Sequence, residues 1–124
     1  MPLDEKLLAL IGTGGINNLG LPKQEIFLLD IVVAATTHID NIDELKNKLN
    51  DGTLLKMIRK PENIYDEKAI VLYFEKDRVG YVPRTLNLII SRLMDAGKEF
   101  YAKVIEVTQK GSWVRISAKI YMIE

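Results

Sequence analysis

The last 26 residues, EFYAKVIEVTQKGSWVRISAKIYMIE, constrain the fold most strongly. Two runs rich in β-branched and aromatic residues flank the turn sequence Gln109-Lys110-Gly111, a pattern that predicts a long β-hairpin. A second hairpin is predicted upstream, where AIVLYF (69–74) and RVGYVP (78–83) lie on either side of a short polar turn. Strands joined by such short turns pair antiparallel, so the chain favours an antiparallel sheet.

The rest of the chain supplies further strands and helices. Residues 25–38 and 53–60 are rich in aliphatic and β-branched side chains and are predicted as strands. Residues 39–52 and 84–97 are predicted as helices, each ending in a glycine. Five or six strands with two or three helices predict a mainly β protein with helices (α+β), built as a small, partly open antiparallel barrel.

The two predicted helices carry apolar residues at helical spacing. In the first, Asp40 or Asn41 caps the start, and Ile42, Leu45 and Leu49 share a face. In the second, Pro83 opens the helix. Its predicted buried stripe consists of Leu86, Ile89, Ile90 and Leu93.

The first 24 residues read as an N-terminal extension, and residues 25–124 as the main domain. A short helix is predicted over 4–11, followed by a glycine-rich loop, GTGGINNLGLP. The GTGG run lacks the Lys-Ser/Thr of a phosphate-binding P-loop and follows a helix instead of a strand. A flexible connector is therefore the favoured interpretation.

Composition limits the class of protein. The chain has 124 residues, 48% of them hydrophobic and 27% charged, which suits one globular domain. No apolar run reaches the roughly 18–20 residues that a membrane span requires, and the acidic N-terminus does not resemble a signal peptide. Because cysteine is absent, disulfides and thiolate chemistry are excluded. We expect a cytoplasmic protein with no membrane association.

Charge is balanced overall but unevenly distributed. The net charge is zero, while residues 1–52 hold eight acidic residues and four lysines. The remaining 72 residues hold 13 basic and nine acidic residues. A mildly basic face is therefore expected on the C-terminal part of the chain.

The sequence contains no complete residue pattern of a known catalytic site. His38 is the single histidine, so a typical zinc site or a serine triad is not expected. Pro61-Glu62 and Asp66-x-Lys68 resemble the pattern of metal-dependent nucleases. That pattern requires carboxylates on neighbouring strands, whereas these lie four residues apart in one bend. No catalytic residue, metal or cofactor is predicted, and a nuclease remains a third alternative.

The stretch LLKMIRKPENIYDEKAIVLYF…RVGYVPRTL is similar to the HIRAN domain family. The family pattern is Arg-x-Pro-x-Asn-x-Tyr-Asp-x-x-Ala-Ile, then a strand, then Val-Gly-Tyr-Val-Pro-Arg/Lys. The resemblance covers residues 25–123 and implies a fold of the OB type. HIRAN domains are known as modules of replication-fork remodelling helicases, where they bind the free 3′ end of single-stranded DNA, and they also occur alone in bacteria. The matching residues are Arg59, Pro61, Asn63, Tyr65, Asp66, Ala69, Ile70, Val79, Gly80, Tyr81, Val82, Pro83 and Arg84.

The resemblance implies a role for each polar residue of the motif. Tyr65 stacks on an unpaired base. Asp66 accepts a hydrogen bond from the terminal 3′-hydroxyl and repels the phosphate of a continuing strand. Asn63 supports the loop, while Tyr81 and Arg84 face the nucleic-acid backbone. Arg84 is expected in the first turn of a helix, where free N–H groups help to hold a phosphate.

The chain also departs from the DNA-binding members of the family. A basic residue and an aromatic residue follow the first strand in those members, where this chain has Ala35-Thr36-Thr37-His38. His38 can replace one of them if the alignment shifts by one residue. Glu62 stands where a second asparagine is expected. Trp113 is either an additional aromatic wall of the site or a core residue.

The predicted function is recognition of single-stranded DNA 3′ ends without catalysis. The expected partners are DNA ends and a helicase, nuclease or other DNA-processing protein. The alternative is a protein-docking module of a DNA-processing system. In that case the acidic N-terminal half and the helix at 4–11 form the contact surface.

Overall fold

The computed structural model describes residues 24–124, which form one antiparallel sheet of six strands with the order β1-β6-β5-β2-β3-β4. Two α-helices and a 3₁₀ helix connect the strands, so the predicted mainly β architecture with helices is confirmed. The predicted helix at 4–11 and the glycine-rich loop lie outside the described residues. The elements are β1 (Glu25–Val32), a 3₁₀ helix (Thr36–His38), α1 (Ile42–Leu45), β2 (Leu54–Arg59), β3 (Ile70–Phe74), β4 (Asp77–Tyr81), α2 (Asn87–Asp95), β5 (Glu99–Lys110) and β6 (Trp113–Ile123).

The predicted C-terminal hairpin forms the centre of the sheet. β5 and β6 pair from Glu99↔Ile123 to Lys110↔Trp113. The turn consists of Gly111 and Ser112, because Gln109 and Lys110, predicted as turn residues, still pair within the hairpin; Gly111 lies in the left-handed region at φ 59°. Alternate side chains of β6 enter the interior, as the period of a strand requires. These are Val114, Ile116, Ala118 and Ile120, all at most 1% exposed.

The sheet curls until its two edge strands meet. Just beyond β1, Ala34 pairs with Tyr81 at the end of β4 through two backbone hydrogen bonds, N–H(34) to O(81) at 2.8 Å and N–H(81) to O(34) at 2.9 Å. Irregularities in strand register at three places help the sheet to bend. The result is a partly open barrel closed at one point, which confirms the predicted architecture.

Glycine is required where the edges meet. A Cβ atom at Gly80 would lie 2.5 Å from the carbonyl oxygen of Ala34 and 2.5 Å from Cγ1 of Val33. Both neighbours are held in place, one by the bridge and the other by burial in the core. Gly80 therefore permits the close approach of the two backbones.

The core fills the inside of the curled sheet. Five large side chains from three strands are completely buried: Leu55, Ile70, Leu72, Ile116 and Ile120. The predicted apolar face of the first helix, formed by Ile42, Leu45 and Leu49, is buried against this core, at most 8% exposed. Burial of this apolar surface is the main source of stability.

The first predicted strand and helix are shorter than expected. β1 ends at Val32 instead of residue 38, because Ala35 adopts φ 64° and the chain turns into the 3₁₀ helix. α1 is a single turn within the predicted 39–52 segment. Asn41 occupies its N-cap position but makes no side-chain capping hydrogen bond.

The predicted buried stripe of the second helix is wrong in part. α2 begins at Asn87, after a turn in which the Leu86 N–H bonds to the Pro83 carbonyl at 2.9 Å. Ile90 is buried as predicted and Leu93 is partly buried, whereas Leu86 and Ile89 are 40% and 63% exposed. Asn87 and Ser91 take the buried positions instead, because the amide of Asn87 finds a polar partner inside.

Replacing Gly80 with alanine is expected to lower the free energy of unfolding by about 2 kcal/mol, because the added methyl group overlaps Ala34 and Val33. Urea unfolding followed by circular dichroism measures the change. Gly111→Asn is the matched control: its surroundings are open and asparagine adopts its left-handed backbone. The control should change stability by less than about 0.5 kcal/mol. Wild-type stability in the Gly80 variant would contradict the close approach.

Candidate functional site

A concave groove of about 580 Å³ opens beside the point where the sheet edges meet. Residues 34–39 form one wall, and the bend between β2 and β3 forms the other. β4 and the residues that follow it lie between the two walls. The groove is lined by Ala34, Ala35, His38, Ile39, Asn63, Tyr65, Asp66, Ala69, Arg78, Tyr81, Val82 and Arg84.

Arg59 holds the bend against the rest of the domain. Its guanidinium donates to two bend carbonyls, that of Ala69 at 2.8 Å and that of Glu67 at 2.9 Å. The same group makes a two-pronged ion pair with Asp95 at the end of α2, at 2.9 and 3.2 Å. The planar fork of arginine suits such a set of acceptors. Arg59 therefore fastens the bend to both β2 and α2.

The bend is shaped by its own polar side chains. Asn63 Oδ1 accepts hydrogen bonds from the backbone N–H groups of Tyr65 at 2.8 Å and Asp66 at 3.1 Å. Asp66 Oδ1 accepts from the N–H of Lys68 at 3.0 Å. Both are local turn contacts that asparagine and aspartate make readily. The Tyr65 ring takes no part in this bonding and is 79% exposed at the groove.

Asp66 is also held from the helix side. Its Oδ2 accepts a hydrogen bond from the Asn87 amide at 2.8 Å, and Nε of Arg84 lies 3.8 Å from the same oxygen. Asn87 is 2% exposed, whereas the Asp66 side chain keeps 17% of its surface open. The carboxylate is thus fixed in position but still reachable from the groove.

These contacts keep Asp66 ionised. Desolvation alone raises the pKa of this carboxyl, but the hydrogen bonds from Lys68 N–H and Asn87, with the positive charges of Arg84 and Lys68, outweigh it and lower the pKa below the ordinary 3.8. The contribution of these contacts to the free energy of unfolding is complete above the ordinary pKa of aspartate and is lost as pH falls through the lowered pKa of Asp66. Near neutral pH the groove therefore presents a carboxylate.

Arg84 lies before α2 and not in its first turn, so the expected shared contact of its guanidinium with helix N–H groups is not supported. The side chain is 73% exposed and donates to the Tyr65 carbonyl at 2.6 Å. It therefore links the bend to the segment after β4 and leaves most of its length open to solvent.

The structure brings together most of the predicted site residues. Six line the groove: His38, Asn63, Tyr65, Asp66, Tyr81 and Arg84. Trp113 is half-buried at the start of β6 and does not line the groove. Thr36, one of the departures from the pattern, is 1% exposed and donates to the Val114 carbonyl at 2.7 Å, which is a structural role.

Two residues of the site were missed from the sequence. Asn87 carries a weak signal, since it is a polar residue within the apolar run LNLII. No pattern in the sequence marks Arg78, because its position in the groove depends on an irregularity of β4. Asp66 is the single carboxylate lining the groove in the part of the chain that the structure describes.

Residues 24–124 hold neither a metal-binding cluster nor a membrane-spanning helix. None of their His, Asp and Glu side chains form a group of three or more suited to a metal ion. No helix in this range is long and apolar enough to cross a membrane.

Comparison with known proteins identifies the family. The sequence model of the HIRAN domain family matches residues 26–123. The chain belongs to the HIRAN domain family. In this HIRAN domain, the residues of the family pattern are those that build the bend and its surroundings.

The HIRAN fold is shared with solved structures. A crystal structure of a protein from Lactobacillus plantarum is 23% identical, covers 83% of this chain and 99% of that one, and superposes with a TM-score of 0.76. The HIRAN domain of human HLTF is 16% identical, with coverage of 80% and 78% and a TM-score of 0.62.

A curated relative is much longer than this HIRAN domain. It is a putative SWI/SNF-related matrix-associated actin-dependent regulator of chromatin, subfamily A member 3-like 1, from Arabidopsis thaliana. It is 25% identical over 89 residues, which are 71% of this chain. The chain spans about 10% of the length of that relative.

Replacing Asn87 with leucine keeps a similar volume but removes the amide donor, so the pKa of Asp66 is expected to rise relative to the wild type. Carbon-13 NMR titration of the side-chain carboxyls measures it. Asn47→Leu is the matched control, because the Asn47 amide bonds to the Asp43 carbonyl on the surface. An unchanged Asp66 pKa in the Asn87 variant would show that Asn87 does not hold the carboxylate.

Proposed function

We propose that this HIRAN domain binds the free 3′ end of single-stranded DNA in the groove, without catalysis. The observation that carries the proposal is the pairing of Tyr65 and Asp66. An exposed aromatic ring stands beside a fixed, ionised carboxylate, and the other charged side chains that residues 24–124 contribute to the groove are the arginines Arg78 and Arg84. This combination suits a ligand that has a flat base, a hydroxyl group and a negatively charged backbone.

Tyr65 provides the surface for a terminal base. Bases stack on exposed aromatic side chains with about 1–3 kcal/mol per base, largely regardless of sequence. The bend needs no contribution from the ring for its own hydrogen bonds. The ring is therefore available for a ligand at no cost to the fold.

Asp66 distinguishes an end from a continuing strand. A carboxylate accepts a strong hydrogen bond from a terminal 3′-hydroxyl. A 3′-phosphate in the same place would bring negative charge against a carboxylate that Asn87 and the Lys68 N–H hold in place. Selectivity comes from this repulsion as much as from the hydrogen bond.

Arg84 is placed to hold the phosphate nearest to the end, because it lies beside Asp66 and is mostly exposed. Few basic side chains line the groove, so we expect affinity to fall with salt along a shallow slope. The relative from Arabidopsis thaliana is named as a regulator of chromatin, which supports a role beside a helicase, nuclease or other DNA-processing protein.

A docking module is the second candidate function. One observation favours it: Leu86, just before α2, and Leu88 and Ile89 within α2 are exposed by 40%, 40% and 63%. Exposed apolar side chains in one region are typical of protein contacts. The exposed Tyr65 in a concave groove favours end binding over this candidate, since a docking surface does not require either feature.

Fluorescence anisotropy with three labelled ten-nucleotide strands tests the proposal. One strand ends in a 3′-hydroxyl, one ends in a 3′-phosphate and one is circular. We expect the 3′-hydroxyl strand to bind about tenfold more tightly than the others, which corresponds to about 1.4 kcal/mol. Asp66→Asn should remove this preference, because it removes the charge that repels a phosphate.

Asp51→Asn is the matched control: it changes the net charge equally at a residue outside the groove, and it should retain the preference. Equal binding of all three strands to the wild type, or no binding, would contradict end recognition and place the docking module first. Cleavage of a strand in Mg²⁺ that depends on Asp66 would contradict the absence of catalysis.

A further inference from the structure

We infer that Arg78 is a second phosphate contact in the groove, so that the ligand is a strand end with at least two phosphates. The inference rests on the proposed function, because it takes the end of the strand to lie at Asp66. It concerns a residue that neither the sequence motif nor the turn chemistry of the bend singles out.

The position of Arg78 depends on an irregularity in β4. Residues three apart on a regular strand point to opposite faces. In β4, Gly80 pairs with Leu72 while Arg78 pairs with the next residue, Tyr73, so that Val79 is an extra residue. This bulge brings Arg78 to the same side as Tyr81. Both side chains line the groove, with Nη1 of Arg78 3.5 Å from the Tyr81 hydroxyl oxygen.

The charge of Arg78 is available for a ligand. Among residues 24–124, Arg59 is paired with Asp95 and Arg84 lies beside Asp66, but no carboxylate forms an ion pair with Arg78. Its side chain is exposed. An arginine that lines a cavity without a carboxylate partner suits a phosphate, which accepts from the flat guanidinium fork.

The two arginines give the bound strand a direction. The wall formed by residues 34–39 contributes no lysine or arginine, so the two arginines that the described residues contribute to the groove both lie on the side of β4. Arg84 is the one next to Asp66. A strand whose hydroxyl lies at Asp66 places its last phosphate at Arg84, and its backbone then passes Tyr81 to bring the next phosphate to Arg78.

Ligands of different length distinguish the phosphate contact of Arg84 from that of Arg78. A dinucleotide with a 3′-hydroxyl has one phosphate, whereas a ten-nucleotide strand has enough for both contacts. The dissociation constants of these unlabelled ligands are measured by NMR titration and calorimetry for the wild type, Arg78→Gln, Arg84→Gln and Lys76→Gln. Lys76 lies in the turn before β4 and outside the groove, and its replacement removes the same charge.

We expect Arg78→Gln to weaken binding of the ten-nucleotide strand about three- to tenfold at low salt and to reduce the salt slope by about 0.7. The same variant should leave binding of the dinucleotide unchanged, because that ligand does not reach Arg78. Arg84→Gln should weaken binding of both the dinucleotide and the ten-nucleotide strand. Lys76→Gln should not weaken binding of either ligand by more than about twofold, since the charge of Lys76 is solvated and screened.

The inference would be overturned if Arg78→Gln and Lys76→Gln changed the affinity for the ten-nucleotide strand equally. It would also be overturned if Arg78→Gln lowered the affinity for the dinucleotide and for the ten-nucleotide strand by the same factor. A wild-type domain without end preference, whose binding nevertheless falls in Arg78→Gln alone, would contradict the proposed function and keep Arg78 as a phosphate contact. A wild type that binds neither ligand would contradict both.

Discussion

Two backbone hydrogen bonds between Ala34 and Tyr81 hold the edges of the sheet together, and the groove depends on them. They place the segment after β1 beside β4, and so form a cavity between that segment and the bend. Without this closure, Tyr65 and Asp66 would stand on an open sheet edge. Gly80 makes the approach of the two backbones sterically allowed.

The bend is determined by more contacts than a turn needs. The side chains of Arg59, Asn63 and Asp66 make hydrogen bonds to five of its backbone groups. Each such bond contributes about 1 kcal/mol or less to net stability. Their larger effect is to order the loop before a ligand arrives, which lowers the entropy that binding must overcome. The Tyr65 ring takes no part in these bonds, and this makes a binding role the simplest explanation of its exposure.

Local patterns predicted much of this domain. The two hairpins, the bend and most of the groove residues followed from β-rich runs, turn residues and a recognisable motif, because each depends on neighbours in the chain. Helix boundaries were less accessible. The apolar run after Pro83 predicted a helix from residue 84, but a turn intervenes and moves the buried face from Leu86 to Asn87.

The remaining features depend on tertiary contacts. The burial of Asn87 is explained by the carboxylate of Asp66, a residue 21 positions earlier. Arg78 enters the groove through an extra residue in β4 that strand periodicity does not reveal. The edge closure joins residues 47 positions apart in sequence, and no local pattern specifies such a pair.

Binding of a strand end in the groove is tested by an NMR titration with an unlabelled trinucleotide ending in a 3′-hydroxyl, with backbone amide shifts recorded residue by residue. We expect the largest changes at the amides of Tyr65, Asp66 and Lys68, since these N–H groups bond to Asn63 and Asp66, the side chains that shape the bend. Changes centred on the exposed face of α2, with the bend unaffected, would contradict it. In that case the groove would not be where the strand end is held.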